Sequence, residues 1–177
     1  MVRSVRTSEE PRASARGILV FLVKGGEEMA STTKVLRGIA RSVGKVEGEA
    51  LVSQQPISHF MYDIENETGI IKMFNHELHG RSVTNKVLVY PSVIGATGGS
   101  SGLFYKCKIT KVGPKAIICR KVDPIDIAGA LAGGIPAVDG FKEDPLAEIR
   151  TGDWVEVIAD KLGKEALVKI SRKNNRD

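Results

Sequence analysis

Apolar positions along the chain change period several times, and each change marks an element. "GDWVEVIAD" alternates Val155 and Val157 with Trp154 and acidic positions, and "EALVKIS" can pair with it across "KLGK" as a hairpin. "NKVLVYPS" is a β-rich run stopped by Pro91, "KAIICRK" is a compact apolar run that reads as a buried strand, and "IPAVDGF" is a further short one. Upstream, "VLRGIARSVGKVEGEALVSQQPIS" holds short apolar runs broken by Gly44 and Gly48, with "EALVSQ" as a strand ending at Pro56. "FMYDIENETGIIKMF" predicts two strands around "ENETG", where Asn66 and Gly69 supply turn conformations.

Helical spacing appears twice. Leu103, Phe104, Cys107 and Val112 fall near a 3.6-residue period that Gly113-Pro114 ends. "DPIDIAGALAGG" has Asp123 as N-cap, Pro124 at the first helical position and a Gly133-Gly134 stop. Strands come first, then strand, helix, strand, helix, strand, then a closing hairpin. This order predicts an α/β domain, a small barrel or sandwich of strands with two main helices.

Length and composition narrow the picture. At 177 residues the chain fits one domain. The net charge of +5 arises from 26 basic residues scattered among 21 acidic ones, and aromatics make up 5% with no basic and aromatic interleaving, so nucleic acid is not an expected partner. "KISRKNNRD" is the one basic cluster, and residues 172–177 read as a solvated tail. No apolar run reaches the roughly 18 residues that span a bilayer, so no membrane partner is expected. Cys107 and Cys119 lie in apolar segments, which fits reduced core thiols and a cytoplasmic protein. Without a CxxC pair or a third cysteine, the chain alone cannot hold an iron–sulfur cluster through thiolates.

Residues 1–33 read as a leader. Arginines followed by "GILVFLV" imitate a signal peptide, but "KGGEE" stands where a small-residue cleavage site belongs. Codons for Gly25-Gly26-Glu27 can spell a purine-rich ribosome-binding sequence, so natural translation is expected to begin at Met29, with the earlier residues disordered or untranslated. The domain proper is then 34–171.

The candidate chemistry sits in "VIGATGGSSG", Val93 to Gly102. Gly95, Gly98 and Gly99 allow close backbone approach, so successive N–H groups can converge on an anion. A helix starting near Ser100 or Ser101 would add its free N–H groups. Thr97, Ser100 and Ser101 supply hydroxyls, and one of them could carry a proton if its alkoxide were stabilised. A capped turn explains the same glycines. In "NHELHG", His76 and His79 have i, i+3 spacing with only His59 as a third ligand, so no metal site is expected. Asp63, Asp139 and Asp153 read as structural turn residues.

"GEALVSQQPISHFMYDIENETGII", "HELHGRSVTNKVLVYPSVIGATGGSSG", "GPKAIICRKVDPIDIAGALAGGIPAVD" and "DPLAEIRTGDWVEVIAD" resemble, in that order, the swivel domain of aconitase X. The resemblance implies a swivelling β/β/α fold and the small subunit of a two-chain hydro-lyase. It further implies an active site shared with a large subunit, and an iron–sulfur cluster held by that subunit, with no cofactor bound by this chain. The implied substrate is a small hydroxy acid, such as mevalonate 5-phosphate or cis-3-hydroxyproline, taken by a carboxylate- or phosphate-binding loop formed by Gly95, Ala96, Thr97, Gly98, Gly99, Ser100 and Ser101. The family's loop begins Gly-Ser, its serine being the proton-abstracting residue, and that position here is Ala96. A lysine that often precedes the glycine is replaced by Ile94. Thr97 and Ser100 are the nearby hydroxyls able to substitute. The alternative is a non-catalytic anion-binding or regulatory domain that lost the serine at Ala96.

Overall fold

The computed structural model describes residues 18–24, 27–95 and 97–173. Its eight strands are β1 (Ile18–Lys24), β2 (Glu27–Ser42), β3 (Gly44–Val52), β4 (Val87–Tyr90), β5 (Ala116–Cys119), β6 (Ala137–Asp139), β7 (Trp154–Ala159) and β8 (Glu165–Lys173). They run in the order β1-β2-β6-β5-β4-β3-β7-β8, and the additional β2–β8 pairing closes seven of them into a barrel with β1 alongside β2. The helices are α1 (Gly98–Phe104), continued by a π-helical turn (Tyr105–Ile109), α2 (Pro124–Gly133) and the four-residue α3 (Pro145–Glu148). None is long and apolar enough to cross a membrane.

Four neighbouring strands, β3 through β6, are parallel, and the remaining pairs are antiparallel. A parallel strand with both faces covered needs an unbroken apolar run, which is what "VLVY" and "AIIC" provide. Val87, Val89, Ala116, Ile118 and Val138 point into the barrel with Leu36, Val157 and Val168. Their alternates Leu88, Tyr90, Ile117, Cys119 and Ala137 point outward and form a second core with Leu103, Ala130 and segment 57–83. The site described below lies on this outer layer.

The hairpin β7–β8 and the strands at Val87, Ala116 and Ala137 match the sequence pattern. So does α2, where the Asp123 side chain accepts from Ile125 N, Pro124 starts the helix and Gly134 takes the left-handed conformation. One expectation changes, and the structure adds detail elsewhere. The two strands expected in residues 60–74 shrink to isolated bridges, Ile64 with Ile71 and Ile70 with Ser82, inside an irregular segment. A third short helix, α3, starts at Pro145 behind an Asp144 cap. Strand β2 begins at Glu27 and pairs with β8 from Ser31, and β8 extends to Lys173. Residues 1–17, Gly25, Gly26 and 174–177 lie outside the described residues.

Helix α1 begins at Gly98, earlier than expected, so Gly98 and Gly99 are helical. They are there for close packing. A Cβ on Gly98 would come 2.7 Å from the Phe60 ring, one on Gly99 3.3 Å from Ile125 Cγ2, and one on Gly102 would overlap the His59 carbonyl oxygen. From the other helix, a Cβ on Gly129 would press on Leu103 at 3.1 Å. Glycines on both helices thus bring α1 against α2 on one side and against segment 57–62 on the other.

Gly102→Ala is expected to cost about 1–3 kcal/mol in urea unfolding, because backbone would have to yield, whereas exposed Ser101→Ala should stay within about 0.5 kcal/mol. Ile118→Ala, which leaves a cavity in the barrel interior, is expected to cost about 2–5 kcal/mol by the same measurement.

Candidate functional site

Strand β4 ends at Tyr90 and hands the chain to the glycine-rich loop. Ile94 N donates to Ile57 O at 2.8 Å, fastening the loop to segment 57–62. Gly95 turns with φ 111°, a value that disfavours residues with a Cβ. Ala96 lies outside the described residues. Thr97 then takes the N-cap position with helical dihedrals and makes no side-chain cap bond. The first N–H groups of α1 therefore gain no partner from the Thr97 side chain.

The loop hydroxyls differ in their commitments. Ser100 Oγ donates to Thr97 O at 2.7 Å, so its proton is already placed. Thr97 and Ser101 are exposed. Ser101, Gly98 and Gly102 form one side of an open pocket of about 440 Å³; Phe60, Met61, Asn66, Glu67 and Tyr105 complete it. Of the predicted loop residues, the pocket is lined by Gly98 and Ser101, while Gly99 is buried in packing. Its apolar rim is conspicuous: Phe60, Met61 and Tyr105 are exposed, and next to them Tyr62, 76% exposed, meets the Phe60 ring edge-on. Exposed aromatics gathered around a concavity mark an interaction surface.

Beneath α1 lies a buried polar cluster. Tyr90 Oη donates to Asp126 Oδ2 at 2.5 Å and stands 3.0 Å from His59 Nε2. Burial pushes the tyrosine well above its ordinary pKa, so its single proton goes to Asp126 and the His59 bond must come from Nε2–H. Burial and the Lys106 ammonium hold His59 down to about 3, so the imidazole is neutral. Its 3.7 Å approach to Asp126 Oδ1 is therefore not an ion pair. Burial raises Asp126 to about 6 against the opposing Tyr90 bond. His59 Nδ1 and Asp126 Oδ1 have no protein partner among the described residues. The cluster ties segment 57–62, strand β4 and helix α2 together under the loop.

The other candidates resolve into fastenings. His76 Nδ1 accepts from Leu78 N and its Nε2 lies 3.3 Å from Ser53 Oγ, while His79 Nδ1 lies 3.0 Å from Met73 O, so the three histidines do not converge. Between those two histidines, Glu77 accepts from Ser53 Oγ, Gln54 N and Gln55 N, pinning the end of β3. Asp139 bonds Arg41 and Val122 N, and Asp153 bonds Arg172 and Arg150 N. Cys107 and Cys119 are free thiols on different elements, each raised by burial, Cys107 to about 11. Two separated, protonated thiols are not a ligand set for an iron–sulfur cluster, and no group of three metal-binding side chains occurs among the described residues.

Sequence reading missed Lys106, Tyr90 and Asp126. Lys106 stands in a "YKCKI" run where a lysine reads as solvated, yet it is fully buried. The one available cue for Asp126 was a second acid in the first turn of a helix whose first acid, Asp123, already caps it.

Known proteins carry the same fold and motifs. The family model for the aconitase X swivel domain matches residues 35–165. The phosphomevalonate dehydratase small subunit of Methanosarcina acetivorans is 39% identical over 135 residues, which cover 76% of this chain and 90% of that protein. Its counterpart from Thermococcus sibiricus is 42% identical over 118 residues, covering 67% and 87%. The crystal structure of Thermococcus kodakaraensis aconitase X in its holo-form superposes with a TM-score of 0.67 at 34% identity, covering 76% of this chain and 97% of that one. A UPF0107 protein solved by solution NMR gives 0.65 at 38% identity, covering 75% and 96%. A family match over most of the barrel and all three helices, with these relatives and this shared fold, places the chain in the aconitase X swivel domain family.

Proposed function

We propose that this chain is the small subunit of a two-chain hydro-lyase that dehydrates a hydroxy acid, mevalonate 5-phosphate being the first substrate to try. The observation that carries the reading is the open pocket between α1 and the Phe60–Met61 segment, a half-site with an exposed apolar rim. A large subunit covering that rim would bury the aromatics and enclose the substrate. The small-subunit relatives named for phosphomevalonate dehydratase support both the partner and the substrate class. A cluster, which the two thiols of this chain cannot hold, would belong to the large subunit.

The chain's own contribution is to bind the acid and move one proton. Removing a proton beside a carboxylate builds negative charge on the carboxylate oxygens. N–H groups at the start of α1 stabilise that charge more strongly in the transition state than in the ground state. In this reading Gly95–Ser101, including Ala96, is the binding segment and Ser101 faces the substrate. Thr97 is the better proton carrier of the two hydroxyls, because its Oγ1 is not spent on the cap, whereas the Ser100 proton is given to Thr97 O. As an alkoxide held near those N–H groups, Thr97 would take the proton that the alanine at 96 cannot.

Ala96 also favours a second reading, an anion-binding or regulatory domain without turnover. Assay of the chain alone, and of its complex with the large-subunit homologue, separates the two. The chain alone should be inactive, and the complex should release water from mevalonate 5-phosphate. Turnover by the isolated chain refutes the shared site, and a complex inactive on every hydroxy acid tested favours the second reading. Within the active complex, Thr97→Val should lower kcat by about 10²-fold or more, and Ser100→Ala should change it little. Normal kcat in both variants would remove the loop hydroxyls from the chemistry.

A further inference from the structure

Lys106 sits on the π-helical turn after α1 with no exposed surface. Its Nζ donates to His59 O at 3.0 Å, Ile64 O at 3.2 Å and Asn66 Oδ1 at 3.1 Å. Three N–H groups meet three neutral oxygens, and no carboxylate lies within ion-pair distance among the described residues. The contact is made beneath Gly102, where a Cβ would stand 3.2 Å from Nζ. Burying an ammonium without a counter-charge is expensive, and a position needing only bulk would be filled by an apolar side chain. His59 and Ile64 bracket Phe60 and Met61, and Asn66 itself lines the pocket. One cation therefore grips both ends of the segment whose middle is the pocket's apolar wall.

We propose that Lys106 is the positioning residue of the pocket, a protonation-dependent clamp whose three bonds hold the 59–66 segment, and with it the Phe60–Met61 wall, against α1. The proposal rests on reading this pocket as the substrate-facing half-site. A neutral amine has two N–H groups and a lone pair, so on losing its proton Lys106 must release one of the three oxygens; the longest bond is to Ile64 O. Burial brings the ammonium down to about 8, while Asp63 and Glu67 on the facing segment pull it back up; the Cys107 thiol on its own turn, raised to about 11, is neutral there. The His59 ring on that segment is neutral, and Asp126 on α2 is engaged with Tyr90.

The folded pKa lies below the ordinary lysine value of 10.5. The linked contribution of Lys106 to global stability is therefore full above that value and lost as pH falls through about 8, because the charged form is the costly one to bury. The local clamp runs the opposite way, closed below about 8 and released above it. Raising the pH should free the wall without weakening the barrel.

The test is ¹⁵N–¹H NMR of the full chain from pH 6 to 10, following the Lys106 Nζ and the backbone amides. The Nζ and the amides of Phe60, Met61 and Tyr62 should share a midpoint near pH 8, with Val155 and Val157 in the barrel unaffected. Asn66→Asp, which sets a carboxylate against the ammonium, should raise both midpoints together by about one unit or more. Lys106→Met should abolish the inflection at 60–62; if that variant does not fold, the Asn66→Asp shift decides. Wall amides that do not titrate with Nζ, that keep their midpoint in Asn66→Asp, or that still titrate in Lys106→Met overturn the proposal. None of these readouts uses turnover, so the clamp can fail while the dehydratase reading stands, and the reverse.

Discussion

The carbonyl oxygen of His59 occupies the space where a side chain at position 102 would begin. Most of what makes this outer layer a site follows from that one close approach. It requires glycine on α1, it brings segment 57–62 against the helix, and it places an inward-facing carbonyl that needs a donor. Lys106 is that donor. Water would otherwise have to reach the oxygen, and a buried carbonyl without a partner costs about 1–3 kcal/mol. The same approach leaves Phe60 and Met61 on the outside of the turn, facing solvent beside the first turn of α1. The pocket is thus a consequence of backbone packing before it is a matter of loop chemistry.

The barrel supplies the rigid side of this arrangement. Parallel strands β3 to β6 are covered on both faces, and alternate residues feed two separate cores. Tyr90 is where the cores communicate with the site, since it ends β4, precedes the glycine-rich loop and bonds Asp126 on α2. The loop thus starts from a buried tyrosine and ends in a glycine-packed helix.

What could be read in the sequence was the locally encoded part. Asp123-Pro124 with Gly134 carries its own capping chemistry, and the alternation of Val155 and Val157 requires no distant partner, so both were legible. In the segment from Phe60 to Phe74 the two expected strands shorten to a brief pairing across the turn, with Glu65 N donating to Ile70 O and Lys72 N to Asp63 O, because other polar groups of the segment have partners distant in sequence. Asn66 O accepts from Thr110 Oγ1, and its side chain accepts from Lys106. The glycines of the loop were legible as important but not for the full reason. Gly95 serves the turn, as expected, whereas Gly98, Gly99 and Gly102 serve contacts with Phe60, Ile125 and His59 that only the tertiary fold brings near. The resemblance to aconitase X was legible because its motifs are spread in order along the domain, which the family match over residues 35–165 spans.

On the proposed function, the face built by α1 and segment 57–67 is half of a site completed by a second chain. Hydrogen exchange on the full chain, with and without the large-subunit homologue, is the decisive measurement. Slowed exchange confined to residues 57–67 and 94–109 is the predicted result. Protection that instead maps to β7 and β8, with that face unchanged, would contradict the account.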